Sequence, residues 1–172
     1  MLEKTQTDDD GWLVNMKDAQ ALAVTARGDE QVKVINQVAD ILFNKIDGID
    51  KLLPIEADKH TDCAMLQFYT AIMFFFSFSE KVVNKELGKY LARVDYQKIN
   101  EREKQYFIAL NALAKCDFEV ASQQFKAITE YYPQDRVALL MCETCGFLSG
   151  KIEWLEDTYK MLWQFYSHDP KR

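Results

Sequence analysis

Cys142-Glu143-Thr144-Cys145 carries the spacing most suggestive of chemistry in this chain. Two thiolates so placed can ligate zinc or cycle between dithiol and disulfide. Zinc needs two more ligands, and neither Cys63, Cys116, His60 nor His168 forms a second close pair. A redox pair should open a helix after a strand, whereas this one sits inside an apolar helical pattern, so both thiols read as small core residues. His60 and His168 lie in polar segments, and no Ser or Cys beside them has the surroundings of a nucleophile. Glu101 with Glu103, or Asp58 with Asp62, could be imagined as an acid and base, but carboxylates so placed favour helix starts and solvated faces. There is no glycine-rich phosphate loop. The expectation is a chain with no catalytic residue, no metal and no cofactor.

The elements that hold these residues read as helices. With 172 residues, 48% of them hydrophobic, the chain can bury a core as a single domain. Only 6 Gly and 3 Pro leave little material for tight turns, which argues for an all-α fold. A formal charge of -6 opposes a polyanion, so nucleic acid is not expected as a partner. Met1 to Asp10 is polar and acidic, without the basic start and apolar core of an export signal, and is expected to be disordered. Reduced thiols and a cytoplasmic location follow as expectations. Between Asp62 and Glu80 no residue is charged, and Phe74, Phe75, Phe76 and Phe78 point around a helix. The run is short for a membrane span and carries Gln67, Tyr69, Thr70, Ser77 and Ser79, so a central helix covered by its neighbours is the favoured reading.

Along the chain, Trp12, Leu13, Met16, Ala19, Ala23 and Val24 recur at helical spacing, and Val32, Ile35, Val38, Leu42, Phe43 and Ile46 form a second stripe closing near Asp47-Gly48. These predict an N-terminal helical hairpin over 12–47. Ile49 to Lys59, with Pro54, reads as a connector holding one short helical turn. Residues 62–98 read as a degenerate repeat, 99–133 as a clear one and 134–166 as a partial terminal one. Asn100 and Glu103 predict a capping box, and Asp135 caps a helix from Arg136 to about Ser149, ending at Gly150.

The clear repeat is helix, turn, helix. Small Ala109 lies in its first helix, Asp117-Phe118 at its turn, Ala121, Phe125 and Ile128 along its second helix, and Pro133 stops it. That spacing matches the tetratricopeptide template. With Asn100-Glu101-Arg102-Glu103, Tyr132-Pro133, Asp135 and Ala138-Leu139 added, the chain resembles the N-terminal part of the tetratricopeptide-repeat protein 38 family. The resemblance is strong over roughly Ile99 to Gly150 and weaker back to Trp12. The chain is shorter than members of that family and lacks their later repeats. The resemblance implies a helical-repeat fold and protein association, with no catalytic residue to carry over.

The expected architecture is about seven helices in antiparallel hairpins, stacked as a short right-handed tetratricopeptide-like solenoid. Glu103, Tyr106, Leu110 and Leu113 of one unit and Val137, Leu140, Thr144 and Phe147 of the next are predicted to line an apolar concave groove. The groove lacks the Lys, Arg and Asn of a carboxylate clamp and would suit a protein or an amphipathic helical peptide. Two other occupants compete: the chain's own helices, or a second copy in a homodimer. Trp154, Trp163 and Phe165 are expected to close the end of the stack as an apolar lid. The expected function is a non-catalytic protein-interaction scaffold. The alternatives are a carrier of small hydrophobic ligands or lipid, with a pocket between helices lined by Phe74, Phe75, Phe76 and Phe78, and then a cysteine-dependent metal or redox protein.

Overall fold

A computed structural model describes residues 6–7, 13–44, 49–77, 80–151 and 153–167. Three short strands, β1 (Gln6–Thr7), β2 (Leu13–Lys17) and β3 (Ala23–Ala26), precede eight described helices. The helices are α1 (Asp29–Asn44), α2 (Ile49–Lys59), α3 (Ala64–Ser77), α4 (Glu80–Leu91), α5 (Glu101–Ala114), α6 (Phe118–Tyr131), α7 (Arg136–Ser149) and α8 (Glu153–Ser167).

The protein is therefore mostly helical, but its start is not the predicted helix. β1, β2 and β3 form an antiparallel sheet in that order, with Met16 opposite Val24 and Lys17 opposite Ala23. Residues Gln6 and Thr7, expected to be disordered, pair with Val14 and Leu13. The physical reason is the turn at Asp18. Its carboxylate accepts the backbone N–H groups of Gln20 and Leu22, both at 2.9 Å, and Ala21 takes the left-handed φ of 61°. An Asp side chain closing its own turn competes directly with helix formation.

The connector expected around Pro54 is instead helix α2. Proline costs a helix one backbone hydrogen bond, but Leu53 and Ala57, on either side of it, are wholly buried. The helix is held by packing rather than by propensity. Helix α1 ends at Asn44, and the expected stop at Asp47-Gly48 lies outside the described residues, as do the side chains of Trp12, Leu13, Phe43 and Ile46. Helix α3 is the broadly buried helix its composition requires. Every residue from Cys63 to Met73 is buried, and α3 contacts α1, α2, α4, α5 and β3. No helix among the described residues is long and apolar enough to cross a membrane.

From α5 onward the local signals predict the observed structure closely. Asn100 caps α5 in a reciprocal box with Glu103, Asp117 accepts the Val120 N–H, and Asp135 accepts the Ala138 N–H. The α5–α6 and α7–α8 turns are equivalent at a spacing of 34 residues. The N–H groups of Cys116 and Asp117 donate to Leu113 and Ala112, and those of Gly150 and Lys151 donate to Phe147 and Gly146. Cys116 and Gly150 both adopt left-handed φ, 58° and 73°. Glycine takes that conformation without penalty, and Cys116 takes it against its side chain. Helix α6 packs between α5 and α7.

Candidate interaction surface

The first half of the predicted groove is closed by the chain itself. Glu103, Tyr106, Leu110 and Leu113 on α5 are buried. Tyr106 is enclosed by aromatic rings. Phe68 stacks on it at 6.0 Å between centroids, and Tyr69 and Phe125 meet it edge-on at 6.4 and 5.7 Å. These residues belong to the core, not to an open binding face. Helix α3 and the N-terminal sheet fill the space that a ligand helix would need.

A buried polar network locks that closure. Arg102 donates from Nε to Asp135 at 2.7 Å and from Nη1 to the Ala23 carbonyl at 3.3 Å, with Asp18 3.6 Å from Nη1. Tyr106 donates its hydroxyl to the other oxygen of Asp135 at 2.8 Å. Glu103 accepts the backbone N–H of Thr25 at 2.9 Å and its hydroxyl at 2.5 Å. The same carboxylate accepts the Asn100 N–H at 3.0 Å and so completes the cap of α5. The residues that begin α5 thus also hold β3 and the Asp135 turn. Sequence reasoning placed Glu103 in a groove and gave Arg102 no role, since its partners lie far along the chain at positions 18 and 135.

The electrostatics of this network follow from burial. Burial opposes the charge on Arg102, but Asp135, Tyr69, Tyr106 and Asp18 outweigh it and hold the guanidinium pKa well above its ordinary value. Burial pushes Tyr106 well up, reinforced by Asp135 and Tyr69. Asp18 and Glu103 are raised, burial outweighing the hydrogen bonds and the Arg102 charge that lower them. Arg102, Glu103, Tyr106 and Asp135 are at most 1% exposed, so the cluster positions elements rather than meeting a substrate.

The thiols have the same character. No disulfide joins them, and Cys63, Cys142 and Cys145 are buried. Burial pushes their pKa values up, to about 12, 11 and 12 respectively, which disfavours the nucleophilic thiolate. Among the described residues no three of His, Cys, Asp or Glu stand together as a metal set. His60, largely buried in the turn just after α2, lies 3.9 Å from Glu56 of that helix, while His168 lies outside the described residues.

The second unit is different. Val137 is buried, Leu140 and Thr144 are partly covered, and Phe147 is 70% exposed beside Leu148. Among the described side chains of α8, Thr158 and Leu162 are buried, whereas Tyr159, Trp163 and Phe165 are exposed, Trp163 by 76%. The expected lid is thus not a lid in its described part, and the Trp154 side chain lies outside the described residues. A shallow concavity of about 730 Å³ lies along α8, lined by Leu139 of α7 together with Tyr159, Leu162, Trp163 and Tyr166. It adjoins, through Leu139 and Tyr166, a more polar one of about 800 Å³ reaching Gln20, Asn36 and Arg136.

Glu143 explains the looser seat of α8. It stands where the first unit has Ala109, which is buried and small. A small residue there lets the second helix approach, and the carboxylate of Glu143 instead reaches out and accepts the Tyr159 hydroxyl. That hydrogen bond, with burial, pushes the Tyr159 pKa up to about 12.

The phenylalanines proposed to line a ligand pocket mostly meet one another and neighbouring rings. Phe74 stacks on Tyr90 at 5.7 Å, Phe75 meets Phe118 at 6.5 Å, and Phe76 is exposed. Phe78 lies outside the described residues. None of Phe74, Phe75 and Phe76 lines either concavity on the second unit.

No protein-family model matches the chain, nor does any curated protein or solved structure.

Proposed function

We propose that this protein is a non-catalytic helical-repeat module of tetratricopeptide type that binds a protein partner through the open apolar surface of its second unit. The repeat reading is supported by the two matched turns, with the same two backbone hydrogen bonds and the same left-handed residue 34 positions apart. The observation that carries the binding reading is the contrast between equivalent side chains of the two units. Leu113 is 1% exposed and Phe147 is 70% exposed; Phe125 is 0% exposed and Tyr159 is 50% exposed. Large apolar groups exposed on each of two helices that follow one another suit an interface.

The test is site-specific photocrosslinking. A photoreactive residue at Phe147 or Trp163 should trap discrete proteins from native lysate, and the same residue at exposed Glu119 on α6 should not. Identical patterns at all three positions, or crosslinks at Glu119 alone, would sink the reading.

A further inference from the structure

We propose that the cleft between α1, the Asp18 turn and the start of α7 binds an α-amino acid head group, either of a free amino acid with an apolar side chain or of the first residue of a short peptide. The cleft has a volume of about 800 Å³, within the range of small-molecule sites. Neither Phe147 nor Trp163 lines it, so it stands independently of the protein-binding reading. Its walls are elements already locked in place. Gln20 and Ala21 belong to the turn that the Asp18 carboxylate closes, and Asp18 is itself buried against Arg102. Arg136 opens α7 directly after Asp135, the other carboxylate on Arg102. The buried network thus holds two walls of the cleft in fixed relation, and α1 supplies the third.

The polar groups on these walls have a set direction. Asn36 accepts the Ala19 N–H on its Oδ1 at 2.8 Å, and Gln20 accepts the Arg136 N–H on its Oε1 at 3.3 Å. With both amide oxygens pinned, the amide N–H groups are what remain to offer, and among the described residues no acceptor receives them. The Arg136 side chain adds further donors to the lining. A wall rich in donors suits a carboxylate or a carbonyl oxygen. Asp40 supplies the opposite character. It is exposed on α1, lines the same cleft and has no ion-pair partner among the described residues. Asn36 and Asp40 stand one helical turn apart on one face of α1, about 5–6 Å between Cβ atoms. That spacing is within reach of one ammonium and the carbonyl beside it, each hydrogen-bonded to its own side chain. Ala39, Leu139 and the Tyr166 ring give apolar surface next to these groups, where a ligand side chain can leave water. One acid and one base leave the lining without net charge, which fits a zwitterion and disfavours a phosphate.

The experiment is isothermal titration of the intact chain with L-phenylalanine, L-leucine, N-acetyl-L-phenylalanine and the dipeptide phenylalanyl-glycine. At least one of the two free amino acids or the dipeptide should bind saturably at one site, and acetylation, which removes the ammonium, should weaken phenylalanine binding at least about ten-fold. Asp40→Asn should weaken the best ligand by about ten-fold and leave any residual binding of the acetylated form unchanged, with unaltered circular dichroism. Asn36→Asp keeps an acceptor for the Ala19 N–H while replacing the donor by a second carboxylate, and should also weaken binding by about ten-fold. Tighter binding of the dipeptide than of L-phenylalanine assigns the site to the first residue of a peptide, and the reverse order assigns it to a free amino acid. Absence of saturable binding by all three unacetylated ligands up to about 10 mM overturns the proposal. So does binding indifferent to acetylation, or equal binding to wild type and Asp40→Asn.

Discussion

Tyr106 and Leu140 occupy equivalent places in consecutive helical units, yet one is sealed among aromatic rings and the other is only partly covered. The contrast widens at Leu113, which is buried, and Phe147, which is not. The two units share their turn geometry and differ in what leans on them. The first is backed by α3 and by the N-terminal sheet, while α1 reaches α7 in the second. Helical periodicity thus sets where an apolar side chain points, and the neighbouring element decides whether it is core or surface.

The largest way to break this comparison is at the lock of the first unit. Arg102→Ala leaves Asp135 buried without its cation and should cost about 3–5 kcal/mol in urea unfolding. Arg102→Met fills the space but also strands the carboxylate, so adding Asp135→Asn to it should recover part of the loss. A loss below about 1 kcal/mol for Arg102→Ala would mean that the network does not hold the fold.

Next comes a matched pair of truncations. Phe125→Ala removes a wholly buried ring and should cost about 3–5 kcal/mol, whereas Tyr159→Ala, at the equivalent exposed place, should cost under about 1 kcal/mol. Equal costs would show that the second unit is as tightly packed as the first. Tyr106→Glu belongs on the costly side of this divide and reports folding rather than binding.

A smaller effect is expected where the sheet meets α5. Glu103→Ala strands the Thr25 N–H and hydroxyl and should cost about 1–3 kcal/mol. Hydrogen exchange at the Thr25 amide should accelerate more than at amides in the middle of α7. Uniform acceleration would show that the sheet and the helices open as one unit.

The pH response sharpens the same point. Asp18 and Glu103 have pKa values raised above their ordinary 3.8 and 4.5, so the folded protein binds more protons than the unfolded chain between those values and the raised ones. Their contribution is therefore most favourable at the acid end of that window and declines as pH rises through the raised values. Asp18→Asn should flatten this part of a stability-versus-pH curve measured by thermal melting. An unchanged slope would mean that Asp18 does not titrate there.

The smallest effect concerns the seat of α8. Glu143→Ala restores the small residue found at Ala109 and removes the Tyr159 partner. These act in opposite directions, and the stability change should stay within about 0.5 kcal/mol.

Legibility in the sequence followed the range of the forces. The caps at Asn100 and Asp135, the turn at Asp117 and the stop at Gly150 act within one helical turn, and their positions could be read from residue type alone; that Asp117 also caps α6 is seen in the structure. The N-terminal strands were missed because Met16, Ala19, Ala23 and Val24 also fit helical spacing. What decides against the helix is the Asp18 turn together with Glu103, 78 residues from Thr25. Helix α2 was missed because Pro54 outweighed Leu53 and Ala57, whose burial is a tertiary fact. The residues predicted to line a groove recur along α5 and α7 at a spacing of 34, but sequence spacing gives a direction and not a neighbour.

By itself, then, the sequence determined a mostly helical chain, the ends of α5 to α7, the 34-residue spacing of its two hairpin turns, and the apolar faces those helices present. These depend on backbone hydrogen bonds and side-chain periodicity, which are local. Only the tertiary structure decided that α3 and a small sheet fill the face of α5, that Arg102 and Asp135 lock them there, and that Phe147, Tyr159 and Trp163 remain outside. Burial is a property of what packs against a residue, and its partners here come from distant parts of the chain.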